Sequence, residues 1–220
     1  MNRRLIVAGT GALALVGFGA AMLVYRRQQV EVIAAPQPAG GWNHLVREHS
    51  PVLGRPDAPV TIVEFFDPSC ESCRAFHPVV KQVLAAYPND VRVVIRYTPF
   101  HRGSDVAVAI LEAARRQNLF EPVLEALLAA QPRWARHGSP DLEMAWRMAA
   151  FAGLDLDRAR DDAARPEVAA WLRQDVADVQ TAGVRGTPTF FVNGRQLVAL
   201  SAQSFQDLVR EEVEAARAKR

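Results

Sequence analysis

VTIVEFFDPSCESCRAFHPVVKQVLAAY, residues 60–87, changes character partway along. Its first eight residues are apolar or β-branched apart from Glu64 and Asp67, the pattern of a strand buried on both faces. From there Cys70, Cys73, Phe76, Val80, Val83, Leu84 and Tyr87 recur at spacings of three and four, as on one face of a helix. Cys-Glu-Ser-Cys therefore sits where a strand gives way to a helix. Unpaired backbone N–H groups and the helix dipole favour an anion at that point, so a thiolate is stabilised relative to a thiol.

The spacing also separates the two sulfurs. Cys70, at the mouth of the helix, can meet solvent, while Cys73 lies one turn in and can attack a mixed disulfide formed on Cys70, which is the geometry of thiol–disulfide exchange. Two plainer readings compete. The cysteines could be a buried core pair. They could also form part of a zinc site with His77, but a closed site needs a fourth ligand and the chain has only 2 cysteines.

Later in the chain, Thr189–Val192 and Gln196–Ala199 flank Asn193-Gly194, a two-residue hairpin signal because both turn positions need positive φ. Ser201 is placed to cap a closing helix with the apolar face Phe205, Leu208, Val209 and Val213. The strand, the Cys-x-x-Cys at a helix start and the segment Gly186-Thr-Pro-Thr-Phe-Phe-Val-Asn-Gly194 together resemble the thioredoxin superfamily, in its DsbA-like branch, from about Ser50 to Ala216. The resemblance implies an α/β thioredoxin-like fold, a central mixed sheet flanked by helices, with an inserted α-helical subdomain. It implies a nucleophilic Cys70, a resolving Cys73, and Glu64 beneath them accepting or relaying the proton that Cys73 must lose when it attacks. It also implies a cis Pro188, with Gly186 and Thr187 presenting backbone to an extended substrate beside Cys70. No prosthetic group is implied. The Cys70–Cys73 disulfide carries the electrons, and a membrane redox partner resets it. Glu71-Ser72 departs from the branch, whose strongly oxidising members carry a His between the cysteines, and a negative Glu71 would oppose the Cys70 thiolate. Ser69 stands where relatives often have an aromatic.

The formal net charge is +2, and Arg3, Arg4, Arg26 and Arg27 precede or follow an uncharged run, Leu5–Tyr25, with no acid before Glu31. The basic excess thus belongs to the flanks of that run, and nothing suggests nucleic acid. The run is long enough for the roughly 30 Å of a bilayer core. It reads as an N-terminal transmembrane anchor or a signal helix, and either places the rest in the periplasm or another extracytoplasmic space, attached to the inner membrane if uncleaved.

The expected organisation is residues 1–27 as anchor or signal, 28–49 as tether and lead-in, 50–103 as the first half of the core, 104–183 as a helical insertion, and 184–220 as the second half. Within the insertion, Asp105 is expected to cap a helix to Gln117, and a second helix to run from Leu119 to Ala130. A third has Pro140 in its first position and ends at Gly153. A short helix passes through Leu156 and Ala159, and a last one runs Pro166–Thr181. His77 reads as an ordinary half-exposed residue and His101 as a solvated loop histidine. The function expected is disulfide formation in exported thiol proteins. Reductase or isomerase activity stays open, as does a copper-binding metal-tolerance role through Cys70, Cys73 and His77.

Overall fold

The computed structural model describes residues 18–22, 24 and 42–220. The expected apolar span Leu5–Tyr25 falls mostly outside them. Among the described residues no helix is long and apolar enough to cross a membrane.

A sheet of five strands in the order β1-β3-β2-β4-β5 organises the chain: β1 (Val52–Gly54), β2 (Val60–Phe66), β3 (Val91–Tyr97), β4 (Thr189–Val192) and β5 (Arg195–Gln196). β2 and β3 run parallel, joined by the crossover helix α1 (Glu71–Ala86), while β1 on β3 and β4 on β2 are antiparallel. Every residue of β2 is buried because the central strand is covered on both faces. Val60, Ile62 and Phe66 enter one core with Cys73, Phe76, Val80, Phe190 and Phe205. Val63 and Phe65 enter the other with Leu45, Val94, Val179, Val184 and Phe191. At about 1.5–3 kcal/mol for each large apolar side chain buried, these two layers dominate the stability of the sheet.

Five helices lie between β3 and β4: α2 (Ser104–Arg116), α3 (Phe120–Trp134), α4 (Leu142–Phe151), α5 (Leu156–Ala163) and α6 (Pro166–Thr181). The chain closes with α7 (Ala202–Arg217). Several boundaries differ from the sequence expectation. Val52–Gly54, where no strand was expected, pairs with β3 as an edge strand. Gly103, at a left-handed φ of 82°, rather than Asp105 caps α2, so the helix starts two residues earlier. α3 continues past Pro132 to Trp134, whose fully buried indole N–H donates to the Leu127 carbonyl at 2.8 Å. Pro140 lies outside α4, and the Asp141 carboxylate accepts from the Met144 N–H as its cap. After the turn, β5 stops at Gln196, and one further bond, from the Leu197 N–H to the Phe190 carbonyl at 2.9 Å, ends the pairing short of Ala199. The Asn193-Gly194 turn itself has both φ angles positive, 46° and 83°. A side chain at Gly194 would also lie 2.5 Å from the Trp42 ring, so the lead-in packs directly on this hairpin.

α6 is fastened to β3 by buried charge. The fully buried Arg96 guanidinium donates to Asp175 at 3.0 Å and to Asp178 at 2.5 Å, and the Tyr97 N–H donates to Asp175 at 2.8 Å. From the lead-in, Arg47 donates to both oxygens of Asp178, and His49 meets Asp175 at 2.8 Å while stacking on Trp171. A buried cation costs several kcal/mol unless partnered in this way.

Candidate active site

β2 runs out at Phe66, and Asp67-Pro68-Ser69 carries the chain to Cys70, the N-cap of α1, with extended backbone (φ −76°, ψ 122°) and no side-chain cap. That leaves the first N–H groups of the helix for the sulfur. Both cysteines are free thiols. Cys70 is 6% exposed and Cys73 is sealed.

Their surroundings drive the two thiols apart. Cys70 is held down at about 5, chiefly by the hydrogen bond it receives from Cys73, against the opposing effect of burial. The Thr187 hydroxyl and the backbone N–H groups of Cys73 and Ser72 add to the lowering. Burial pushes Cys73 far up, and its hydrogen bond to Cys70 together with the nearby charges of Glu64 and Cys70 reinforces the shift. The surroundings thus favour a thiolate at Cys70 and a thiol at Cys73.

Glu64 faces the α1 side of β2, since it alternates in step with Ile62 and Phe66, and is 2% exposed. It pairs in register with Ile95 on one side and Phe190 on the other, so an exposed strand edge is ruled out. Burial, with the Cys70 charge added, raises its carboxyl to about 8.

The loop before β4 completes the cleft. The Thr187–Pro188 peptide is cis, and in the thiol form Cys70 Sγ donates to the Thr187 carbonyl at 3.2 Å. Gly186 lies just ahead, its carbonyl accepting from the Thr189 hydroxyl at 2.7 Å.

Residues that the sequence did not mark hold the cysteine loop. Asp67, fully buried, accepts from the N–H groups of Ser69, Phe100 and His101 at 2.8, 2.8 and 3.1 Å and from the Ser104 hydroxyl at 2.5 Å. His101, expected to be solvated, instead places Nδ1 2.7 Å from the same carboxylate. Ser69 is buried and its hydroxyl lies 2.7 Å from that of Ser104, to which it donates, so a hydroxyl network takes the place of an aromatic. An acid within hydrogen-bond reach of Ser69, two residues on, was a readable turn signal. Gln131, in the insertion, had none, because its partners are some sixty positions away.

Two expectations are corrected. Glu71 points outward, largely exposed, with its carboxylate 3.6 Å from His137, and it is not among the groups that shift Cys70. A charge so exposed acts through water. His77 does not join the cysteines: among the described residues no group of three His, Cys, Asp or Glu side chains is placed to hold a metal ion, so the copper set is not assembled. Its ring instead lines a cavity with Arg74, Pro78, Lys81 and Leu128, and burial lowers its pKa.

A parallel βαβ unit with a two-cysteine helix cap, a cis-proline loop across from it and a helical insertion are the elements of a thioredoxin-like fold with a paired-cysteine site. The chain belongs to the thioredoxin family, whose family model matches residues 47–211. Among solved structures it is similar to a thioredoxin-like oxidoreductase from Silicibacter pomeroyi, 33% identical, with a TM-score of 0.68 over 80% of this chain and 97% of that one. It shares the fold of Wolbachia pipientis alpha-DsbA1 (18% identical, TM-score 0.70, covering 79% and 96% of the two chains). The same holds for Bacillus subtilis BdbD (22%, 0.68, covering 83% and 98%). Among curated proteins it is 39% identical over 153 residues to the Na(+)/H(+) antiporter NhaA 3 of Salinispora tropica, covering 68% of this chain. It is also 33% identical over 146 residues to the NhaA antiporter of Herminiimonas arsenicoxydans, covering 66%. The chain spans only 22% of the length of either relative.

Proposed function

We propose that this protein forms disulfide bonds in exported proteins, acting outside the cytoplasm from an N-terminal membrane anchor. The observation that carries the direction is the opposed shift of the two thiols, Cys70 down to about 5 and Cys73 upward. A stabilised Cys70 thiolate favours the dithiol form, so the Cys70–Cys73 disulfide is a strong oxidant.

In the proposed reaction a substrate thiolate attacks Cys70 Sγ, the Cys70–Cys73 bond breaks, and Cys73 leaves as a buried thiolate that must be protonated. Glu64, at about 8, carries a proton at neutral pH and is the internal donor. A second substrate thiolate then attacks the substrate sulfur of the mixed disulfide and displaces Cys70, a good leaving group because its thiol is acidic. Two electrons pass from substrate to enzyme, and a membrane redox partner removes them to restore the disulfide. Thr187, with Gly186 before it and Pro188 after, offers backbone to an extended substrate beside Cys70.

Support for the address is the uncharged run Leu5–Tyr25 between paired arginines, together with the exposure of Phe18, Met22 and Val24. Equilibration of the Cys70–Cys73 couple with glutathione tests the direction. An oxidase is expected to sit near about −120 mV, whereas about −270 mV would mark a reductase and overturn the proposal.

A further inference from the structure

We infer that Gln131, on the inserted helix α3, is a positioning residue that sets the reactivity of Cys70 by fixing the backbone of the cysteine loop. Its side-chain amide is fully buried, and every partner it has belongs to the redox loop or the first turn of α1. Nε2 donates to the carbonyls of Pro68 and Cys70, both at 2.9 Å, and Oε1 accepts from Arg74 Nε at 2.9 Å. One side chain therefore ties residues 68, 70 and 74 together across the boundary between the sheet domain and the insertion. Asp67 ties the same loop to the segment after β3, from its own side chain.

The consequence for chemistry follows from the direction of the N–H groups. Besides the Cys73 thiol and the Thr187 hydroxyl, the N–H groups of Ser72 and Cys73 stabilise the Cys70 Sγ anion, and they do so while the backbone aims the sulfur at them. The Cys70 carbonyl is the atom whose orientation fixes that aim, and it accepts both the Gln131 amide and the first turn bond from the Arg74 N–H, at 3.1 Å. A residue far along the chain and touching neither sulfur thus contributes to how acidic the nucleophile is. The inference rests on Cys70 being the nucleophile of the proposed exchange.

The test is the pH dependence of Cys70 alkylation in the reduced full chain, resolved by peptide mass, for the parent, Gln131→Met and Gln131→Glu. Methionine keeps the volume and removes all three hydrogen bonds. Glutamate keeps the Arg74 contact and removes both donors. Each variant is expected to move the midpoint upward by about one pH unit, the size of one or two lost hydrogen bonds. Trp134→Phe, which loses a buried bond on the same helix, should lower stability and leave the midpoint in place. Parental midpoints in both folded Gln131 variants would overturn the inference while leaving the proposed function standing. A parent midpoint near an ordinary thiol value would instead sink the proposed function itself.

Discussion

Cys70 Sγ lies 3.2 Å from the carbonyl oxygen of Thr187, although the two residues stand 117 positions apart. The contact changes character with the charge on sulfur. A thiol donates to that carbonyl, whereas a thiolate cannot and turns to the Thr187 hydroxyl, which lowers the Cys70 pKa. On the function proposed above, ionisation leaves that carbonyl free to accept from an extended substrate.

Removal of that hydroxyl by Thr187→Val, which keeps the β-branched shape and the backbone, should raise the midpoint of Cys70 ionisation by about 0.5–1 unit. Ultraviolet absorbance of the thiolate against pH measures it. An unchanged midpoint would leave the anion to Cys73 and the helix N–H groups alone.

The division of labour between the sulfurs separates their variants. Cys70→Ala should reduce oxidative refolding of a reduced test protein by about 100-fold or more, because no sulfur is left at the cleft edge. Cys73→Ala should retain attack by Cys70 on a substrate disulfide and accumulate the mixed disulfide, visible on non-reducing gels as an adduct of enzyme and substrate.

Glu64 gives stability a pH dependence of known sign. Its folded pKa, about 8, lies above its ordinary value of 4.5. Its contribution is therefore fully present below pH 4.5 and is lost as pH rises through 8, when a charge must be carried inside the core. Glu64→Gln should flatten urea-derived stability across that window by an amount on the order of a few kcal/mol. It should also slow Cys73 protonation and release, lowering the rate of mixed-disulfide turnover by about tenfold or more at neutral pH. A parental turnover rate with a flattened stability profile would confine Glu64 to a structural role.

The Arg96 network tests the scaffold apart from the chemistry. Asp175→Ala leaves a fully buried guanidinium short of a partner and removes the acceptor of the Tyr97 N–H. A loss of about 3–5 kcal/mol is expected in urea unfolding. The Cys70 titration should stay where it was, because none of the groups that shift Cys70 belongs to this network.

The elements that carry strong local signals were legible in the sequence. A run apolar or β-branched but for one acid, turning into a three-and-four spacing at Cys70, gave β2 and α1, and Asn193-Gly194 gave the hairpin, because short-range geometry alone decides both. The lone acid in β2 pointed to Glu64, and its register between β3 and β4 makes it internal. Interactions between distant residues were not legible. β1 is three residues long and exists only because β3 offers it an edge. Ser104 donates its hydroxyl to Asp67 and accepts from Ser69, which no local capping rule anticipates. Glu71 looked like an obstacle to the thiolate by its place in the chain, yet it turns toward His137 and into solvent.

The difference in acidity between the two thiols is open to direct measurement. Reduced protein is exposed to brief pulses of iodoacetamide across the pH range, and the label on each cysteine is quantified separately. Half-maximal labelling of Cys70 is expected near pH 5, with Cys73 unreactive until the alkaline limb or unfolding. Labelling of both thiols together, with a common midpoint near the ordinary thiol value of about 8.5, would contradict the account.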